Sequence, residues 1–322
     1  MVVSRSFLLI LFLLLAPLSL LAGVAFGSVD LSLGEVMCAL AGQEAGLATD
    51  IVWQLRLPRV LAAFACGGLL ALAGALLQAL LRNPLADPYV LGISGGSAVA
   101  VLAAMLFGLA ATLVNLAALG GALAAVGLVF ALGFGRGGNM VRLLLTGVVL
   151  SSGFSALISL LLTLAPGAQV RGMLFWLMGD LSQAQAPGLA WGVLLAALAL
   201  AWWQANSLDI LGLGELKARS LGVAVRPLQF GIYFTASAAT AAVVVEAGAI
   251  GFVGLIVPHL IRLLGISHHR WLLPLAVLAG GSFLTLADTL ARTVIAPQQL
   301  PVGVLTALLG VPLLLFLLTR KA

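Results

Sequence analysis

This sequence predicts an all-α, polytopic membrane protein, and three observations carry that prediction. Only 8% of its 322 residues are charged while 63% are hydrophobic, with a mean hydropathy of +1.23; a soluble domain usually carries about 25% charged residues. Uncharged apolar runs of about 20 residues, the length that crosses a bilayer as a helix, recur from end to end. The basic residues fall singly between those runs. An isoelectric point near 10.0 therefore marks membrane loops and not a nucleic-acid surface.

Taken in order, the runs give about ten helices, at roughly 7–27, 58–81, 90–108, 112–133, 142–165, 189–205, 228–247, 249–265, 272–294 and 302–319. The first follows Arg5 and resembles a secretory signal. Its apolar stretch from Phe7 to Phe26 exceeds a signal core of about 7–15 residues, so a retained span is predicted. The eighth is interrupted by Pro258 and carries His259 and Arg262. With the N-terminus in the cytoplasm, the inside collects Arg5, Arg82, Arg136, Arg142, Lys217, Arg219, Arg226, Arg262, Arg270, Arg320 and Lys321, which is 11 of the 15 lysines and arginines. The positive-inside rule then places both termini in the cytoplasm. Arg56, Arg59, Arg171 and Arg292 remain outside. Two connections are long: an acidic external one over 27–57 and an internal one over 205–227. Residues 1–322 form one predicted transmembrane domain, with no soluble domain.

Chemistry-bearing patterns are few. There is no GxxxxGK[ST], HExxH or GxSxG. Gly92, Gly95 and Gly96 superficially resemble a phosphate loop, but they follow a proline-marked turn with no strand before them and no lysine after. Asp87 is placed to cap the helix that follows. Cys38 and Cys66 suggest neither a disulfide framework nor a metal site, and His268 and His269 are adjacent, so one helical face cannot hold both. No resident cofactor or metal is predicted.

Helix two carries Ala63, Gly67, Ala71, Ala75 and Ala79 at four-residue spacing, a small-residue ridge suited to close packing in lipid. Helix five carries Ser152, Ser155, Ser159 and Thr163 on one face. Two readings fit them: hydroxyls bonded back to the helix's own carbonyls, or a hydroxylated wall of a translocation path. Asp288 and Arg292 stand at i, i+4 within helix nine. Intramembrane charges are costly and are usually paired or functional. With Glu246 they allow an alternative reading, a proton-coupled secondary transporter.

"LRNPLADPYVLGISGGSA" (81–98) closely resembles the signature of the FecCD family of ABC importer permeases. "VWQLRLPRVLAA" (52–63), "LGELKARSLGV" (213–223), "GAIGFVGLIVPHLIRLL" (248–264) and "LADTLARTVIAPQQLPVGVLTALLGVPLLLFLL" (286–318) match in the same order, so the resemblance spans essentially the whole chain. It implies the FecCD-type permease fold and a non-enzymatic transport subunit of a bacterial inner membrane. A homodimer would work with two cytoplasmic ATPases that bind the ATP and with a periplasmic binding protein. The cargo would be a metal chelate: cobalamin or a ferric siderophore first, haem third.

The resemblance also implies roles for particular residues. Arg56, Arg59 and Arg292 match positions that dock the binding protein's acidic residues; lipid snorkelling for the first two and the Asp288 pair for the third are the competing readings. Asn83 and Leu85 match a cytoplasmic gate. Met140 and Val141 stand at a second gate turn where cobalamin-type relatives carry small hydroxyl residues, which predicts a more apolar constriction. Within 205–227, Glu215, Ala218, Arg219, Leu221 and Gly222 match the element that couples to the ATPase, as a short helix flanked by Gly214 and Gly222. Helices five and ten would line the pathway, which assigns it Ser152, Ser155, Ser159 and Thr163.

Overall fold

Every apolar run that the sequence marks as a span is helical. The computed structural model describes residues 5–43, 46–134, 140–184 and 187–319. Its helices are α1 (Arg5–Ala25), α2 (Leu33–Leu40), α3 (Leu47–Asp50), α4 (Leu57–Leu81), α5 (Ile93–Leu106), α6 (Ala111–Phe134), α7 (Met140–Leu164), α8 (Gly167–Met178), α9 (Gly188–Trp203), α10 (Ala205–Gly212), α11 (Glu215–Ser220), α12 (Val225–Ala247), α13 (Val253–Leu263), α14 (His269–Thr293) and α15 (Val302–Thr319). A π-helical turn, Ile51–Arg56, joins α3 to α4, and a 3-10 turn, Pro88–Leu91, precedes α5. Among the described residues six helices are long and apolar enough to cross a bilayer, and α9 with α10, bent by 60°, makes a seventh if the pair is one span. The helices α5, α13 and α15 are shorter apolar ones.

Two segments depart from the sequence expectation. The stretch 27–57 is largely helical instead of loop: Ser32 caps α2 through the Glu35 backbone N–H, and the Glu35 carboxylate accepts from the Ser32 N–H at 2.7 Å. Those capping bonds hold the Glu35 carboxyl below its ordinary range. The second is α8, which follows Pro166 and is too short to register as a span.

The core is built around α4, in which every residue from Ala62 to Leu80 is buried. It packs against α14, α12, α13 and α9. Helices in lipid gain little from hydrophobicity, so close van der Waals contact must hold them together. Gly67 supplies that contact with α14, where a Cβ would fall on the Gly280 carbonyl; Gly74 supplies it with α13, against Gly254. Trp191 fixes α9 by stacking on Phe64 at 5.8 Å and donating to the Leu61 carbonyl at 3.1 Å. Tyr233 donates to the Val126 carbonyl at 3.0 Å, and with Phe130, Phe134, Phe230 and Phe234 it joins α12 to α6.

Gly74→Val and Gly67→Leu should each cost about 1–3 kcal/mol or more, because backbone and not a flexible side chain occupies the space. Gly127→Ala on α6, which meets open space, should be near neutral. Thermal unfolding in detergent, read for all three variants, checks this; a tolerated Gly74→Val would contradict the packing.

Candidate functional site

At one end of the bundle three buried arginines cluster, and two of them share one carboxylate. Arg59, at the start of α4, donates from Nε and Nη2 to Asp288 on α14 at 2.8–3.1 Å, and from Nη1 to Gln299 at 2.7 Å. Arg292, one turn beyond Asp288, places Nε 3.4 Å from Oδ2 and donates from Nη2 to the Gly23 carbonyl at 2.6 Å. Arg56 donates to the carbonyls of Val24 and Ala25 at the C-terminus of α1, each at 2.8 Å, and to Val29 at 2.5 Å. A helix C-terminus bears partial negative charge, so these carbonyls help to compensate the guanidinium, together with the nearby Asp30.

Arg56, Arg59 and Arg292, the residues expected above to dock a binding protein, all lie in this cluster. They are only 4%, 7% and 3% exposed, and each is bound to internal partners. The Asp288–Arg292 pair seen in the sequence exists, but the shorter ion pair of Asp288 is with Arg59, at 2.8 Å. The proton-relay set is not connected either: Glu246 Oε1 has no hydrogen-bond partner among the described residues, and Asp288 is occupied by the two arginines.

At the opposite end of α4 the chain reverses through Arg82, which takes the left-handed conformation at φ 49°. Asn83 Oδ1 accepts from the Leu85 N–H at 3.0 Å, and Asp87 caps the 3-10 turn through the Tyr89 N–H at 2.8 Å. The cap thus falls on that turn and not on α5. The Tyr89 hydroxyl accepts from the Ile250 N–H at 3.0 Å, tying the turn to the entry of α13. Asn83 and Leu85 are exposed on this stiff frame. Met140 and Val141 open α7, but their side chains lie outside the described residues.

Two short helices, α10 and α11, occupy the long connection over 205–227. Gly214 and Gly222 bracket α11 with φ of 108° and 82°, a conformation that side chains other than glycine rarely adopt. Ala218 is fully buried beneath it, and Glu215 accepts from Gln229 on α12 at 2.9 Å. Arg219 and Leu221 are exposed. So are Leu213 and Leu216, which the sequence reading passed over. Another missed element is Asp209 on α10, which accepts from the His269 backbone N–H at 3.0 Å and lies 2.6 Å and 3.2 Å from Nδ1 of His269 and His268. It thereby caps α14. Burial acts to raise the Asp209 carboxyl, but hydrogen bonds from His269 and His268 outweigh it and leave it below the ordinary range. The cap's contribution is therefore present at neutral pH and is lost only as pH falls through that lowered value.

Of the six long apolar helices among the described residues, α7 is the least covered, with 11% of its apolar window buried. Ser152, Ser155, Ser159 and Thr163 all lie on its exposed face, and each donates to the carbonyl four residues earlier at 2.8–3.1 Å. The back-bonding reading is thus realised, on a face that also stands open. Much of α15 is exposed as well, including Leu308 and Phe316.

Asp288→Asn would leave two buried guanidinium groups without their counter-charge. Breaking a buried pair in this way costs about 3–5 kcal/mol. Chemical denaturation in detergent should show that loss; a cost below about 1 kcal/mol would mean the carboxylate does not balance the arginines.

Comparison with known proteins places these features in context. The model of the FecCD transport family matches residues 10–320. The hemin transport system permease protein HmuU of Yersinia pestis is 42% identical over 284 residues, covering 84% of this chain and 85% of that one. The vitamin B12 import system permease protein BtuC of Serratia proteamaculans is 37% identical over 313 residues, covering 94% and 92%. Among solved structures, a metal-chelate type ABC transporter in an inward-facing conformation superposes with a TM-score of 0.88 at 31% identity, covering 98% of this chain and 100% of that one. PsaBC from Streptococcus pneumoniae, at 18% identity and a TM-score of 0.53, shares the fold alone.

Proposed function

The chain belongs to the FecCD transport family, and on that premise we propose that it is the membrane-spanning permease subunit of an ATP-driven importer that carries a metal chelate into a bacterial cytoplasm. It is a multi-pass protein of the inner membrane and a transport subunit, not an enzyme. A permease of this kind works with ATPase and substrate-binding partners. The finer arrangement is part of the proposal: two copies of this chain, two cytoplasmic ATPases carrying the ATP, a periplasmic binding protein and both termini in the cytoplasm. Residues 1–322 act as one transmembrane domain, with 205–227 as its coupling loop.

The observation that carries this reading is the exposed apolar edge of α11. Leu213, Leu216 and Leu221 are 60%, 84% and 60% exposed, on a connection too polar to lie in lipid and too short to fold alone. Such a patch on a fixed base marks an interaction surface. It suits a cleft on an ATPase, with Glu215 and Ala218 holding the helix, Arg219 and Leu221 meeting the partner, and Gly222 ending the element. The open faces of α7 and α15 suit a path between two copies, with Ser152, Ser155, Ser159 and Thr163 along it. Asn83 and Leu85, with Met140 and Val141, are assigned to its cytoplasmic gate.

Vesicles reconstituted with this chain, its ATPase and its binding protein should take up a metal chelate only when ATP and the ATPase are present. Uptake by this chain alone, abolished by an uncoupler and indifferent to ATP, would establish the proton-coupled carrier instead.

Arg219→Glu should lower substrate-stimulated ATP hydrolysis several-fold without loss of folded protein, because the side chain is exposed and its ion pair with Glu215, at 3.9 Å, is weak. Full stimulation in that variant would remove α11 from the coupling role.

A further inference from the structure

Three of the chain's six tryptophans, Trp202, Trp203 and Trp271, stand at one junction, where α9 ends and α14 begins. All three are exposed, Trp203 to 80%. Two contacts fasten the junction: Trp202 Nε1 donates to the Arg270 carbonyl at 3.1 Å, and the Arg270 guanidinium lies over the Trp202 ring, 5.4 Å from its centre. Arg270 is itself exposed, and among the described residues no acid lies within ion-pair distance of it. Asp209, the acid on the adjoining α10, is taken by the His269 backbone N–H and by the imidazoles of His269 and His268. The apolar length of both helices stops here: the chain bends by 60° after Trp203, and α14 turns apolar from Trp271 onward. Tryptophan favours such a boundary, with its ring in the acyl region and its N–H in polar surroundings. Back along α9 from Trp202, Ala199, Leu195 and Gly192 continue the same face at helical spacing, and all are exposed. Ten residues at about 1.5 Å each make this a smooth apolar strip roughly 15 Å long.

From this arrangement we propose that the junction of α9 and α14 is a binding site for an anionic phospholipid. Its phosphate pairs with Arg270, and one acyl chain follows the strip from Trp202 to Gly192. A guanidinium presents paired N–H donors that match phosphate oxygens. The Trp202 ring restrains that guanidinium beforehand, so less freedom is lost when the phosphate arrives. A zwitterionic headgroup carries its own ammonium, which Arg270 repels, so the site favours phosphatidylglycerol over phosphatidylcholine. Free phosphate gains the charge but not the strip. Asp209 of α10 caps the same turn of α14, so the bound lipid braces the point from which the 205–227 connection leaves the bundle.

The test titrates phosphatidylglycerol and phosphatidylcholine of identical acyl chains into the purified chain in detergent, with bound lipid counted by native mass spectrometry. The wild type should take up its first phosphatidylglycerol about fivefold more tightly than phosphatidylcholine, the scale of one cation at a lipid surface. Arg270→Gln should erase that preference by weakening phosphatidylglycerol alone, and Arg270→Lys should keep part of it. Arg226→Gln removes an exposed cation that has no ring contact among the described residues, and should leave the preference unchanged. Excess inorganic phosphate should not displace the lipid. Should Arg270→Gln fail to fold, Trp202→Leu decides in its place: without the ring beneath the cation the preference should fall about twofold. No preference in the wild type, a preference untouched by Arg270→Gln or by Trp202→Leu, an equal loss in Arg226→Gln, or displacement by inorganic phosphate each overturns the proposal.

Discussion

At Gly67 and Gly74 the backbone of α4 lies directly against the backbones of α14 and α13, and a side chain at either place would overlap a carbonyl group. In lipid the tails solvate apolar side chains as well as a protein interior does, so such close approach is the main source of cohesion. The consequence runs through the molecule. Because α4 is in contact on all sides, the remaining long helices are arranged by how they reach it. The broad α4–α14 interface, the α13 contact at Gly254 and the Trp191 anchor of α9 are all imposed by one buried helix with small residues at the crossings.

Close packing creates an electrostatic problem at the N-terminal end of that helix. Arg56, Arg59 and Arg292 are buried, and among the described residues only Asp288 forms ion pairs with them, to the last two. Desolvating a charge is costly unless it is paired and hydrogen-bonded. The fold answers with carbonyls at the end of α1, with Val29 and with Gln299. The charges thereby become a fastening. They tie α1, the 27–57 segment, α4 and α14 together where helix packing alone would leave frayed ends.

How much of this a single sequence discloses depends on the distance over which the information is carried. The spans were legible because a 20-residue apolar run is a local property. So were the small-residue ridge and the Asp288–Arg292 spacing, each within one helix, whereas the capping box at Ser32, though equally local, lay in a stretch read as loop. The partner of Asp288 was not: Arg59 is 229 residues away, and no local pattern joins them. The arginines did stand out as exceptions to the charge bias, but that bias says where a residue sits along the membrane normal and not whether it faces outward. A helix C-terminus can neutralise a cation as effectively as an acid does, and no residue type announces it. Helix α8 escaped notice because it is apolar yet too short to register as a span, and Asp209 because a helix cap supplied by another helix leaves no sequence signature.

The distribution of burial separates the parts that hold from the parts free to act. Between Ala62 and Leu80 nothing in α4 is open to a ligand or a partner. The exposed surfaces of α7, α9 and α11 lie around that rigid centre, and they carry the hydroxyl stripe, the tryptophan pair and the leucine edge. Communication between them must therefore pass through the packed helices, and α14 is the best placed. Its N-terminus is capped by Asp209 from α10, the neighbour of α11, and about 28 Å further along it carries Asp288 in the charged fastening. Between these points the Gly280 contact clamps it to α4. A helix held at both ends and in the middle does not bend easily. Any displacement of the α10–α11 pair that reaches α14 must therefore move it together with α4.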